Sequence, residues 1–143
     1  MIVLDASLLV KLVVEEEHSR EARAFVRREA TLGEELVTVD VALAEVLNAL
    51  WRHVTLIKDL SQALYEEAVQ DLLKLWDKLE KLSSRDLALR AAELALKLGV
   101  TIYDSLYLAA AAKHEARLAT YDHAQAKAAE QAGVVIVLSL IHI

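Results

Sequence analysis

Three aspartates hold positions from which they could do chemistry together. Asp5, Asp104 and Asp122 each stand directly after a short apolar segment and directly before a stretch of helical composition. In an α/β domain, ligands bind beyond the carboxyl ends of the strands, so acids at three strand-to-helix turns can converge on one edge. Singly, each has a simpler reading. Asp is a preferred helix N-cap and stabilises by about 1 kcal/mol through the orphan N–H groups. Together they repel one another unless a cation or protons compensate.

Glu45 is not explained as a cap. It lies inside an apolar helix over Val41 to Val54, and its same-face neighbours are Asn48 and Arg52. The stripe Glu45-Asn48-Arg52 reads either as a solvent-facing line or as the wall of a cleft. Four carboxylates in one pocket have a definite use. Hard divalent cations take oxygen ligands, and Mg²⁺ keeps several waters while one or two carboxylates and a substrate phosphate hold it. Two such ions about 3.5–4 Å apart serve phosphodiester hydrolysis without a Ser, His or Cys nucleophile.

The elements that must position these acids follow from pattern. Ile2-Val3-Leu4 reads as a buried strand, Ala6 to Val13 as a helix, His18 to Ala30 as an amphipathic helix, and Leu36-Val37-Thr38-Val39 as a second strand. Ser61 to Leu82 reads as one long helix. Ser83 and Asp86 suggest a capping box opening a helix that runs through Leu98 and stops at Gly99. Val100 to Tyr103 reads as a short extended piece and Ser105 to Ala116 as a buried helix. Arg117 to Tyr121 reads as a strand, His123 to Ala132 as a helix closed by Gly133, and Val134 to Leu138 as the last strand. Short strands alternating with longer helices predict an α/β fold, a parallel sheet with helices on both faces.

Composition narrows the classes. One domain over residues 1–143 is expected from the length. There is no Cys, which excludes disulfides, thiol nucleophiles, zinc–thiolate sites and iron–sulfur clusters. Proline is absent and there are three glycines, so most of the chain should be regular structure. No apolar run approaches the roughly 20 residues that span a bilayer, and the start of the chain lacks a basic signal-peptide region, so a cytoplasmic protein without a membrane partner is expected. Sixteen basic against 22 acidic residues give a net charge of −6, which argues against a broad phosphate-binding surface. A nuclease that meets its substrate through bound metal and a local basic group remains compatible with that charge.

The chain resembles the PIN domain, and most closely the small VapC-type toxins of toxin–antitoxin pairs. The resemblance rests on Ile2-Val3-Leu4-Asp5-Ala6-Ser7, on Leu43-Ala44-Glu45-Val46-Leu47-Asn48-Ala49-Leu50, on Ile102-Tyr103-Asp104-Ser105-Leu106-Tyr107-Leu108-Ala109-Ala110-Ala111, and on Leu118-Ala119-Thr120-Tyr121-Asp122. No one of these is specific; four in order, spread over nearly the whole chain, are. The resemblance implies a three-layer α/β/α fold with a parallel sheet of four or five strands. It implies that Asp5, Glu45, Asp104 and Asp122 bind Mg²⁺ or Mn²⁺ and carry endoribonuclease chemistry on RNA. It implies that Ser7 and Thr120 orient the acids and that Asn48 flanks the glutamate. It further implies a homodimer and a VapB-type antitoxin partner. The chain departs from the pattern at two points. No proline precedes the glutamate motif, where Val39-Asp40-Val41 stands, and His123-Ala124-Gln125 follows the last aspartate where many members carry a further polar or acidic residue.

Lys11, Arg52 and Lys113 are candidate phosphate contacts, with Arg52 preferred because it shares the Glu45 stripe. Trp51, Trp76, Tyr103 and Tyr107 read as core or dimer contacts, and the apolar ending, Val134 to Ile143, as an edge strand covered by a partner. The five histidines show no ligand spacing, and His123 reads as a surface residue at a helix start. Two other classes fit less well. A phospho-acceptor receiver domain needs an acid pair near the first strand and a late Lys, and neither is present. A non-catalytic PIN-like binding module would not need four intact acids.

Overall fold

The computed structural model describes residues 1–137. Its elements run β1 (Ile2–Leu4), α1 (Ala6–Val13), α2 (Ser19–Thr31), β2 (Leu36–Val39), α3 (Ala42–Arg52), a π-helical turn (His53–Ile57) and α4 (Gln62–Lys78). β3 (Glu80–Leu82), α5 (Ser84–Leu98), α6 (Ile102–His114), β4 (Arg117–Ala119), α7 (His123–Gln131) and β5 (Ile136–Val137) complete them.

The five strands form one parallel sheet in the order β3-β2-β1-β4-β5. The right-handed crossover rule then fixes the layers. The steps from β1 to β2 to β3 place α1 to α4 on one face, and α1 packs on α2, α3 and α4. The return from β3 to β4 and the step to β5 place α5, α6 and α7 on the other, where α6 packs on β1, β2 and β4 and also meets α5 and α7. This is the expected α/β/α arrangement. The strand order reverses between β1 and β4, so the crevice beyond their carboxyl ends is the topological switch point where such sheets take ligands.

β1 is fully buried along its length, and its neighbours β2 and β4 are nearly so. Parallel strands covered on both faces read as continuous apolar runs, which is why these three were legible. α6 is buried over Ser105 to Ala111 and forms the centre of its layer.

Three expectations are corrected. The helix expected over Ser61 to Leu82 ends at Lys78, and Glu80–Leu82 forms the edge strand β3. Its exposed Glu80 and Lys81 hide the apolar pattern that marks a central strand. The extended piece expected over Val100 to Tyr103 is instead the opening of α6. Thr101 is its N-cap, accepting from the Asp104 N–H, so Asp104 sits inside the first turn rather than ahead of it. The capping box at Ser83 does not form, because the Ser83 side chain makes no cap bond and the Ser84 N–H donates to Asp40. Gly99 does close α5, in the left-handed region at φ 68°, and α5 and α6 meet at 116° across it. Of the apolar ending, Ile136–Val137 pairs in parallel with β4, and residues 138–143 lie outside the described residues. Among the described residues no single helix is long and apolar enough to cross a membrane.

Candidate active site

β1 delivers Asp5 to the switch point. Its backbone N–H donates to the carbonyl of Ala119 at 3.2 Å, so the ends of β1 and β4 are tied where the acid emerges. Asp5 caps α1: its Oδ1 accepts from the Leu8 N–H at 3.2 Å and from the Ser7 hydroxyl at 2.6 Å. The residue that caps α1 is therefore also a candidate site residue. The side chain is buried, with 4% of the residue exposed. Burial raises its pKa from 3.8 to about 6, in spite of hydrogen bonds from Ser7, Thr120 and Leu8, and the nearby charge of Asp122 adds to the rise.

Ser7 and Thr120 form a chain of hydrogen bonds between Asp5 and Asp122. Ser7 gives its single proton to Asp5, accepts from the Tyr121 N–H at 2.9 Å, and lies 3.3 Å from the Thr120 hydroxyl. The Thr120 oxygen in turn accepts from the Asp122 N–H at 3.0 Å. Two hydroxyls thus join the acid after β1 to the acid after β4.

Asp122 caps α7 through Oδ1, which accepts from the Gln125 N–H at 3.0 Å. Asp104 comes from α6, in the layer opposite α1 and α3, and burial followed by the charge of Asp122 raises its pKa. Glu45 reaches in from α3. Its Oε1 accepts a 2.6 Å hydrogen bond from the Tyr107 hydroxyl. Burial raises its pKa, the Tyr107 bond opposes that, and the charge of Asp104 adds to it. The carboxylates therefore feel one another across the site, as their convergence requires.

All four acids line one open cavity of about 520 Å³, with Ser7, Arg52 and Tyr107 among its other walls. Arg52 is exposed and makes no ion pair among the described residues. A second cavity, of about 500 Å³, adjoins through Glu45 and is lined by Ala44, Asn48 and Tyr103. The Glu45-Asn48-Arg52 stripe is a cleft wall.

The donor set consists of carboxylate oxygens, the chemistry that suits a hard divalent cation. No three acidic or imidazole side chains close into a tight cage among the described residues. An open cup suits magnesium or manganese, which keep several waters, better than a fully protein-built cage. Glu45 Oε2 and Asp122 Oδ2 accept no hydrogen bond among the described residues, so each retains a free oxygen.

Other candidates separate from the site. Lys11 is taken up by Glu16 at 3.1 Å, by the Glu17 carbonyl at 2.8 Å, and by the face of Tyr121. Lys113 stands in the last turn of α6, about 13 Å along the axis from Asp104 at 1.5 Å per residue. His123 is an exposed first residue of α7, as read. Trp76 packs against the core, but Trp51 is 47% and Tyr103 55% exposed, so neither is a core residue. Tyr107 is core and also holds Glu45, a role that its apolar setting concealed. Its position three residues after Asp104, on the same helix face, was the available signal. Gln125 was passed over as well. It is buried, and its Nε2 donates to the Asp104 carbonyl at 3.0 Å, bracing the first turn of α7 against that of α6.

Comparisons with known proteins bear on the family and the fold. The model of the PIN domain family matches residues 2–131. The chain is 37% identical over 126 residues to Ribonuclease VapC3 of Pyrobaculum aerophilum, covering 85% of this chain and 88% of that one. Three crystal structures share the fold. The PAE2754 protein of Pyrobaculum aerophilum superposes with a TM-score of 0.71 at 23% identity, over 95% of this chain and 83% of that one. VapBC2 of Rickettsia felis, bound to a DNA fragment from its promoter, gives 0.67 at 19% identity, over 96% and 98%. FitAcB of Neisseria gonorrhoeae gives 0.61 at 19% identity, over 95% and 96%. With the family match spanning all four acids and a relative of this identity along most of its length, the chain belongs to the PIN domain family.

Proposed function

We propose that this protein is a divalent-cation-dependent endoribonuclease, the toxin of a VapBC-type pair, and that residues 1–143 form one PIN domain. The observation that carries the reading is the convergence of Asp5, Glu45, Asp104 and Asp122 on one open cavity at the switch point. The similarity to a ribonuclease of the VapC class supports the reaction. The likeness to VapBC2 and FitAcB supports a VapB-type antitoxin as partner, and a cytoplasmic setting is part of the proposal.

Asp5, Glu45, Asp104 and Asp122 would hold magnesium or manganese. Bound there, the ion would polarise a phosphoryl oxygen and supply a water acidified for attack. The rest falls to side chains of the protein. Ser7 and Thr120 fix Asp5 and the backbone that presents Asp122. Tyr107 fixes Glu45, and Gln125 fixes the backbone beneath Asp104. Arg52 meets a phosphate of the strand at the cavity rim, where its charge is not already committed. Asn48 lines the adjoining wall. A homodimer is part of the proposal, with exposed apolar residues such as Leu89 and Leu96 of α5 available to cover one another.

The test is cleavage of labelled single-stranded RNA with Mn²⁺, with Mg²⁺ and with chelator, beside the Asp104→Asn variant. Metal-dependent cleavage that the variant loses supports the reading. A protein that binds no divalent ion and cuts no RNA overturns it and leaves the aspartates as helix caps.

A further inference from the structure

We propose that the cavity beside the acid pocket, walled by Ala44, Glu45, Asn48 and Tyr103, is a subsite for an unpaired nucleobase, with Tyr103 as its stacking platform and Asn48 as its hydrogen-bonding edge. The proposal rests on the ribonuclease reading and names how that site holds its strand.

Tyr103 immediately precedes Asp104 in the first turn of α6, and its cavity shares the Glu45 wall with the acid pocket. Its exposure is particular to its place. Tyr107, one turn on, is 2% exposed and tied to Glu45, whereas Tyr103 is 55% exposed and lines the cavity. That cavity, of about 500 Å³, has the size of a small-ligand pocket, in the range of roughly 300–1,000 Å³. Beside the Glu45 carboxylate, its walls are of three kinds. Tyr103 brings an exposed aromatic ring. Ala44 leaves space. Asn48, one turn after Ala44 on α3, brings both a donor and an acceptor. An aromatic face with an amide is the combination that reads splayed-out bases of single-stranded RNA.

Continuity fixes the occupant. Glu45 walls both this cavity and the acid pocket, so a nucleotide whose phosphate lies among the acids has its base within reach of Tyr103. Charge points the same way. The protein carries a net charge of −6, and Lys11 and Lys113 are withheld from the pocket. Few phosphates can be neutralised, so affinity for a strand must come from its bases.

The experiment is equilibrium binding of a dye-labelled single-stranded RNA of mixed sequence, and of the same backbone with abasic sites, with calcium replacing magnesium to slow cleavage. Stacking on one aromatic ring is expressed as a loss of about five- to 150-fold when it is removed. Tyr103→Ala should weaken binding of the base-bearing strand within that range, and Tyr103→Phe should keep wild-type affinity. Asn48→Ala should weaken it less. On the abasic strand, wild type and Tyr103→Ala should bind alike, and Mn²⁺ affinity measured by calorimetry should not change. Equal binding of the base-bearing strand by wild type and Tyr103→Ala overturns the subsite. So does a loss of equal size on both strands. A loss that comes with a changed sedimentation coefficient assigns Tyr103, with its exposed neighbour Ile102, to a contact between copies and also overturns it. A wild-type protein that cuts RNA while Tyr103→Ala binds normally fails the subsite alone; one that neither binds nor cuts fails the nuclease reading with it.

Discussion

The Tyr107 hydroxyl lies 2.6 Å from Oε1 of Glu45, across 62 residues of sequence and from the opposite side of the sheet. A buried tyrosine needs a partner for its hydroxyl, and here the partner is a site carboxylate. Burial and the charge of Glu45 push the phenol far above its usual range, so it stays a proton donor. One oxygen of Glu45 is thereby fixed in place and the other is left open.

Replacing Tyr107 by Phe keeps the ring in the core and removes only this bond. Mn²⁺ affinity and RNA cleavage should both fall, because Glu45 is no longer held. Hydrogen bonds to charged groups contribute about 1.5–3 kcal/mol, which bounds the loss of stability. Calorimetric titration with Mn²⁺ beside thermal unfolding checks both. Unchanged metal affinity in a folded variant would show that Glu45 does not depend on the hydroxyl.

The metal-free protein should become more stable as pH falls from 7 to 5. Asp5 titrates at 3.8 unfolded and at about 6 folded. Below 3.8 it is protonated in both states and folding carries no penalty. As pH rises through about 6 that advantage is lost, and the full difference is about 3 kcal/mol at neutral pH. Glu45 and Asp104 shift in the same direction and add to the trend. Glu34, held down by the N-terminal amine, acts oppositely in the acid range. Asp5→Asn retains an oxygen to cap α1 and should flatten the dependence while raising stability at pH 7. Urea unfolding in chelator at both pH values decides this, and a wild-type protein less stable at pH 5 would contradict it.

Mn²⁺ should stabilise the wild-type fold, since an ion held where the acids converge would relieve their repulsion and would have no such site in the unfolded chain. At 100 times its dissociation constant a ligand adds about 2.7 kcal/mol. Asp104→Asn should be at least as stable as wild type without metal, having lost the charge that faces Asp122 and Glu45. It should gain little from Mn²⁺. A melting-temperature series with and without the ion reads both effects, and equal gains in the two proteins would remove Asp104 from the ligand set.

Leu108→Ala should cost about 2–5 kcal/mol. Leu108 is fully buried in α6, the helix that packs on three strands and carries both Asp104 and Tyr107. Leu89→Ala, on an exposed position of α5, should leave monomer stability within about 0.5 kcal/mol of wild type. Urea midpoints of the two variants measure the contrast.

The sequence by itself determined the central strands and the candidate acids. β1, β2 and β4 lie between two helical layers, so their residues are apolar without alternation and stand out as runs. The acids that follow β1 and β4 fall at N-caps, which have a residue signature of their own. β3 was not legible, because an edge strand of Glu80, Lys81 and Leu82 carries no such run and its pairing with β2 is a non-local fact. The start of α6 was not legible either, because β-branched residues at a helix N-terminus look like a strand until Thr101 is seen to cap. Only the tertiary structure decided that Asp104 enters from the opposite layer and that Tyr107 serves Glu45. It alone decided that Tyr103 stands open beside the acids. Each of these is a meeting of side chains far apart in sequence, fixed by the order of strands, and local periodicity carries no record of that order.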